Sequence, residues 1–186
     1  SSPHSYAGGI AGYSSGTITN CYNAGNVSAT ASSSSYSSSA DAGGIAGYSS
    51  GTITNCYNTG NVSATASSSY ADTGGIAGEN DGTIKNCYYL NTNLKGVEEG
   101  SDTATKCTFD KMRLKETYVG FDFESVWMFD ESLKYHPTPV LKNVKHIVDE
   151  NIIVFDGGSG TESDPYLIST KTHLNNLRNY LGAYFK

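Results

Sequence analysis

Charge is nearly missing from the first half of this chain. Residues 1–90 hold only Asp41, Asp72, Glu79, Asp81 and Lys85, and every other acid and base lies beyond them. So uneven a distribution implies two different kinds of structure in one chain. Positive charge is scarce throughout. The formal net charge is −6, and no basic patch of the kind a nucleic-acid surface needs is visible. Long apolar runs are absent too: nothing approaches the roughly 18 residues of a membrane span. No leader-like segment opens the chain. It begins inside a repeat, however, as a piece excised from a longer protein would, so the missing leader carries no information about export. Hydrophobic content is 37%, low for a compact globular fold. Gly, Ser, Thr and Asn fill the gap, as expected where tight turns separate short strands.

The fingerprints of common catalytic and cofactor sites are missing as well. No Gly-x-Gly-x-x-Gly opens a helix after a strand, and no His-Glu-x-x-His occurs. No Cys-x-x-Cys or paired-His spacing offers a zinc site. His4, His136, His146 and His173 are scattered and read as surface residues. Asp122 with Glu124, and Asp130 with Glu131, are neighbouring acids that a general acid/base mechanism could use. Such pairs on a strand or loop are usually solvated. Glu79-Asn-Asp-Gly82 and residues 160–164 offer oxygen ligands for calcium, but neither has the fixed ligand spacing of a known loop. Turn chemistry explains both. The expectation is therefore no enzyme, with no catalytic, cofactor-binding or metal-ligating residue.

What is present is repetition. The string at residues 43–69 recurs at residues 8–34 with one difference, Ala24 for Thr59. A shorter copy at residues 74–88 departs only at Glu79, Asn80, Asp81 and Lys85. The copies start 35 and then 31 residues apart, yet the second glycine and the cysteine keep a fixed separation: Gly9 to Cys21, Gly44 to Cys56, Gly75 to Cys87. A fixed internal frame with variable spacers is the mark of stacked repeats.

Within a copy, three short strands are expected. Ile45 lies in the first, Ile53 and Cys56 in the second, and Val62, Ala64 and Ala66 in the third, where they alternate with Ser63 and Thr65. Ile53 and Cys56 are three apart and cannot share a face of one flat strand. A bend must fall between them, and Asn55 suits it because Asn tolerates left-handed backbone angles. One copy cannot bury its own apolar side, but stacked copies can. Ile10, Ile45 and Ile76 then form one column, Ile18, Ile53 and Ile84 a second, and Val27 with Val62 a third. Each copy becomes a coil of a solenoid, about 4.8 Å from the next. Cys21, Cys56 and Cys87 share one repeat position, and Cys107 stands outside. An even count permits two disulfides. The alternative is a column of small buried thiols. Adjacent Cα atoms would be within disulfide reach, but parallel Cβ vectors argue against bridging, so free, inward thiols are expected.

Spacers read as polar surface. The run Ser32–Ser39 is low in complexity and reads as a long polar loop. Asn26-Val-Ser28 and Asn61-Val-Ser63 match the N-glycosylation pattern, yet they are also the repeat's own turn and strand. Beyond Tyr88 the repeat fades, and residues 89–105 read as loop. Thr108 is placed to cap a short helix over Phe109–Glu116. The aromatic stretch that follows contains Trp127, the chain's sole tryptophan, and is expected to form a lid over the last coil. An exposed aromatic ligand platform is the competing reading. Strand-like alternation runs over Lys142–Phe155, and a Gly-rich break covers 157–160. Ser169 or Thr170 then caps an amphipathic helix with Leu174, Leu177, Leu181 and Tyr184 on one face. The expected divisions are repeat coils over 1–91, a closing segment over 92–145, and a linker strand with a cap helix over 146–186.

At Gly-Gly-Ile-Ala-Gly, Gly-Thr-Ile-x-Asn-Cys-Tyr and Gly-Asn-Val-Ser-Ala, the chain resembles the GLUG-motif repeats of bacterial surface proteins. The resemblance covers residues 8–91. The stretch from Gly120 through Trp127 and Tyr135 to Leu141 resembles the usual ending of such regions, although His136-Pro-Thr138 departs from the pattern there. Residues 158–169 resemble the opening of another region. The resemblance implies an all-β fold, a right-handed parallel β-helix, here with a short helix and aromatic lid and a C-terminal α-helix. It implies a non-catalytic structural or adhesive module of a protein that is secreted to the cell surface or cell wall. The expected partners are a host protein or glycan and neighbouring modules of the same chain, with no nucleic acid and no membrane insertion. The alternative function is an accessory substrate-recognition or spacer module of a secreted IgA-protease-type metallopeptidase. A β-helix enzyme acting on polysaccharide would need clustered acids or bases, which residues 8–90 scarcely supply.

Overall fold

A computed structural model describes residues 4–32, 38–67, 70–90, 93–129, 138–142, 144 and 161–168. It divides into two compact units: residues up to Thr108 together with Tyr118–Phe121, and Phe109–Thr117 together with the residues from Asp122 onward.

The first unit is built from β-strands. The first copy contributes β1 (Ser5–Gly8), β2 (Ala11–Ser14), β3 (Thr17–Thr19), β4 (Tyr22–Asn23) and β5 (Val27–Ala31). The second contributes β6 (Ser39–Gly43), β7 (Ala46–Ser49), β8 (Thr52–Thr54), β9 (Tyr57–Asn58) and β10 (Val62–Ala66). In the third, β11 (Tyr70–Asn80) runs through the glycine pair as one strand and is followed by β12 (Thr83–Lys85) and β13 (Tyr88–Leu90). Equivalent strands pair in parallel, and equivalent residues face each other: Ile18 with Ile53, Ile84 with Ile53, Val62 with Val27. Parallel in-register pairing puts like on like. It is why a repeat that cannot fold alone gains a core by stacking.

Two apolar columns result. Ile45, Ile53, Ile76, Ile84, Cys56 and Cys87 are buried in one cluster, with Cys21 packed against it. The other is made of small residues, Val27, Ala29, Ala31, Ala40 and Ala42, with Val62, Ala64 and Ala66 alongside. The expected alternation along β5 is observed, with Val27, Ala29 and Ala31 buried and Ser28 and Thr30 exposed. Ile10 keeps its place in the ladder, its amide donating to the Ile45 carbonyl at 3.0 Å, but its side chain is exposed.

The bend between isoleucine and cysteine falls where expected. Asn20, Asn55 and Asn86 have φ of 53°, 53° and 52°, and no other described non-glycine residue has positive φ. Turning the chain there sends both Ile53 and Cys56 inward. All four cysteines are free. Each repeat thiol donates to the carbonyl two residues back: Cys21 to Thr19 at 3.3 Å, Cys56 to Thr54 at 3.2 Å, Cys87 to Lys85 at 3.3 Å. Asparagines stack as well. Asn23 Nδ2 donates to Asn58 Oδ1 at 2.9 Å, and Asn86 Nδ2 to Asn55 Oδ1 at 3.2 Å.

One expectation is corrected. The stretch read as loop over 89–105 contains strands: β14 (Lys95–Gly100) pairs in parallel with β11, and β15 (Thr105–Cys107) with β13. Backbone pairing continues although the glycine signature has gone. Val97 takes the inward slot held by Ala46 and Ala77 before it. The flank of this unit is aromatic. Tyr22 stacks on Tyr57 at 5.3 Å, and Tyr118 meets Tyr57 and Tyr88 edge-on at 5.6 and 5.4 Å. Tyr88 Oη donates to the Val119 carbonyl at 3.1 Å, so Tyr118–Phe121 lies along the tyrosine column.

The second unit contains α1 (Phe109–Met112), a 3₁₀ turn over Lys115–Thr117, and β16 (Trp127–Met128) antiparallel to β17 (Val140–Leu141). The single helix expected over Phe109–Glu116 is therefore broken at Arg113-Leu114. Trp127 is 0% exposed, which excludes the exposed-platform reading of that residue. Arg113, also buried, donates from its guanidinium to Tyr166 Oη at 3.4 Å and lies 5.8 Å from the Phe109 ring. The expected C-terminal helix, the strand alternation beyond 144, the glycine break and most of the serine run lie outside the described residues.

Candidate functional site: a tyrosine and carboxylate face

Not every stacked position holds identical residues. Two residues before each glycine pair, Tyr6, Asp41 and Asp72 face one another across β1, β6 and β11. Beyond the pair, Tyr13, Tyr48 and Glu79 form a second column across β2, β7 and β11, which Glu99 of β14 extends. The Gly-Gly-x-Ala-Gly turn brings the columns together. A Cβ on Gly43 would lie 1.8 Å from the Ala46 carbonyl oxygen, and one on Gly47 would lie 2.7 Å from the Ala7 amide nitrogen and 2.8 Å from the Asp41 main-chain carbonyl oxygen. Only glycine lets the two backbones approach so closely.

The first copies supply rings. Tyr13 and Tyr48 stack at 5.2 Å and 12°, and Tyr6 lies 5.8 Å from Tyr48 and 6.3 Å from Tyr13. His4 stacks on Tyr6 at 5.9 Å and 5°. Tyr13 is 57% exposed, leaving apolar ring surface open to solvent. Tyr48 Oη donates to Asp81 Oδ2 at 2.7 Å, and that bond pushes the phenol up to about 12.

The later copies supply carboxylates. Asp41 is 1% exposed. Ser39 Oγ donates to its Oδ2 at 3.0 Å and meets His4 Nδ1 at 2.7 Å, while Oδ1 meets no nitrogen or hydroxyl donor among the described residues. Burial raises the Asp41 pKa above the usual carboxylate value, against the opposing effects of Ser39, His4 and a hydrogen bond with Asp72. Asp72 and Glu79 are raised too, first by burial and then by repulsion from Asp41 and Glu99. These carboxyls therefore hold protons above the ordinary range or require a positive charge beside them. Asp41 and Asp72, adjacent in register, are placed to share one proton.

Residues considered from sequence have other work. Asn80 folds into its own turn, its Oδ1 accepting from the Gly82 amide at 3.2 Å and its Nδ2 donating to Ser101 at 2.9 Å. Asp122 Oδ1 accepts from the amides of Ser125 and Glu124 at 2.9 Å each. The Ser125 donor, chiefly, holds that carboxyl below its usual value. Asp122 is a turn cap. Asn26 and Asn61 are exposed at the entry to β5 and β10. Asp130, Glu131, His136, His146 and His173 lie outside the described residues. Of the acids and histidines considered, the structure brings His4 and Glu79 to the face. Sequence reasoning missed Tyr6, Asp41 and Asp72. The signal that finds them is their common place two residues before the glycine pair.

Comparison with known proteins agrees with the repeat frame. The family model of the GLUG motif matches residues 4–28 and 38–63. A putative Gly-rich membrane protein of Evansella cellulosilytica is 66% identical over 29 residues, which is 16% of this chain and 3% of that protein's length. No solved structure matches.

Proposed function

Residues 4–28 and 38–63 being GLUG repeats, we propose that this chain is a non-catalytic structural and adhesive module of a secreted bacterial surface protein. It forms the coils of a right-handed parallel β-helix and presents a repeated outer surface to a host protein or glycan. The observation that carries the reading is the in-register stacking of copies, which buries isoleucine and cysteine inside and leaves tyrosines outside in a row. A stacked scaffold of this kind displays its outer positions at a constant spacing, as extended binding surfaces do. The name of the Evansella relative, a membrane protein rich in glycine, is consistent with a place at the cell envelope.

Beads coated with the full chain test this. They are expected to adhere to surfaces carrying host matrix proteins or glycans. Beads coated with a Tyr13→Ala/Tyr48→Ala variant of unchanged far-UV circular dichroism are expected to lose most of that adhesion. Adhesion no greater than that of uncoated beads across such surfaces would overturn the proposal.

A further inference from the structure

We propose that the face lined by Tyr6, Tyr13 and Tyr48 on one side and by Asp41, Asp72 and Glu79 on the other binds a basic peptide segment, seating a lysine or arginine side chain. The inference rests on the adhesive reading and names its ligand chemistry.

Three observations carry it. Aromatic rings attract cations through their negative faces, and the Tyr13–Tyr48 stack leaves Tyr13 open at the surface. A fully buried carboxylate normally has its lone pairs satisfied, because a buried charge without a partner is costly. Asp41 Oδ1 meets no nitrogen or hydroxyl donor among the described residues. Finally, among the described residues no ion pair engages the acids of this face: Lys95 pairs with Glu98 at 2.8 Å, and His4 and Lys95 act on Asp41 and Asp72 only through longer-range attraction. The groups that face Asp41 are Ser39, His4, Tyr6, Asp72, Glu79 and Glu99; Ser39, His4 and a hydrogen bond with the Asp72 carboxyl favour its ionisation, while burial and the like charge of Glu79 and Glu99 oppose it.

A glycan would use the rings but leave this repulsion in place. A cationic side chain answers both features. Its alkyl stem covers the tyrosines and its head meets the half-buried Asp72 and Glu79 carboxyls, in front of the buried Asp41, an arginine fork being able to take two oxygens at once. Binding must also expel protons held by the raised carboxyls. Affinity then falls as pH drops through their range, and the heat of binding depends on the ionisation enthalpy of the buffer.

Calorimetric titration of the full chain with an arginine- and lysine-containing peptide tests this. Controls are the same peptide with glutamine at the basic positions, a neutral oligosaccharide, and calcium chloride. The expected result is binding of the basic peptide with proton release. Glu79→Gln and Tyr13→Ala, both on accessible side chains, are each expected to weaken it about tenfold, and Asp41→Asn to reduce the proton release, since Asp72 and Glu79 remain. Equal binding of the glutamine peptide would overturn the inference. So would binding of the oligosaccharide or calcium in place of the peptide, or no binding at all. If the peptide fails while coated beads still adhere, this inference falls and the adhesive reading stands. If the beads fail too, both fall.

Discussion

Replacing Asn55 separates backbone conformation from side-chain bonding at the bend that turns Ile53 and Cys56 inward. Its φ is 53°, and its Oδ1 accepts from Asn86 Nδ2 at 3.2 Å. A left-handed conformation costs an ordinary L-residue about 1–2 kcal/mol, and loss of a partly buried hydrogen bond costs about 1 kcal/mol. Asn55→Ala incurs both, about 2–3 kcal/mol. Asn55→Gly loses the bond and gains unfolded-chain freedom but escapes the strain, for a total of about 1.5 kcal/mol. The difference of roughly 1 kcal/mol corresponds to about 4–8 °C in a unit of this size. Urea and thermal unfolding followed by far-UV circular dichroism reads it, since the chain's tryptophan lies in the other unit. The expected order of stability is Asn, then Gly, then Ala. A glycine variant no more stable than the alanine variant would refute the claim that the bend is held by backbone angle.

Other outcomes follow from the same geometry. Thiol counting in denaturant without reductant is expected to find four free thiols, and two or fewer would contradict the unbridged column; in the native state Cys21 should react first, being the least buried of the four. Asp41, Asp72 and Glu79 have folded pKa values above their unfolded ones, so their contribution is fully present below about pH 4 and is lost as pH rises through the raised values. Melting temperature of the strand unit should therefore fall toward neutral pH, and Asp41→Asn, which also supplies a donor for Asp72, should flatten that fall; parallel profiles for the two proteins would show that Asp41 does not contribute. Trp127→Ala should destabilise the second unit by about 3–5 kcal/mol, and native tryptophan emission should resist acrylamide. Ready quenching with an unshifted midpoint would show that its burial has been misread.

Sequence displayed the parts of this fold that repeat by identity. The isoleucine and cysteine columns and the bend at Asn55 were legible because stacked copies place like residues together. The strands β14 and β15 were not. Residues 95–107 keep the backbone pairing of the copies before them, but hydrogen bonds between main chains leave no mark in side-chain identity, and Val97 stands where alanine had stood. The candidate face was hidden for the opposite reason. Tyr6, Asp41 and Asp72 share one structural position and differ chemically, so a search for sameness passes over them.

That difference has an energetic meaning. In an in-register parallel stack, each position meets its own equivalent, so residues that attract their own kind are reinforced and those that repel it are penalised. Isoleucine on isoleucine buries surface, and asparagine on asparagine gains a hydrogen bond, as Asn23 and Asn58 do. Carboxylate on carboxylate repels unless the two share a proton, as Asp41 and Asp72 are placed to do. Glu79 over Glu99, and Asp41 over Asp72 once that proton is lost, are therefore costs that the stack bears. A one-residue slip would relieve them, but it would also turn every buried isoleucine outward. The register is thus fixed by the core and the repulsion is locked in beside it. Neutral side chains such as the tyrosines of the first copy would avoid the cost at the same positions. A cation bound beside Asp72 and Glu79 would offset that repulsion, which is what the proposed basic ligand supplies.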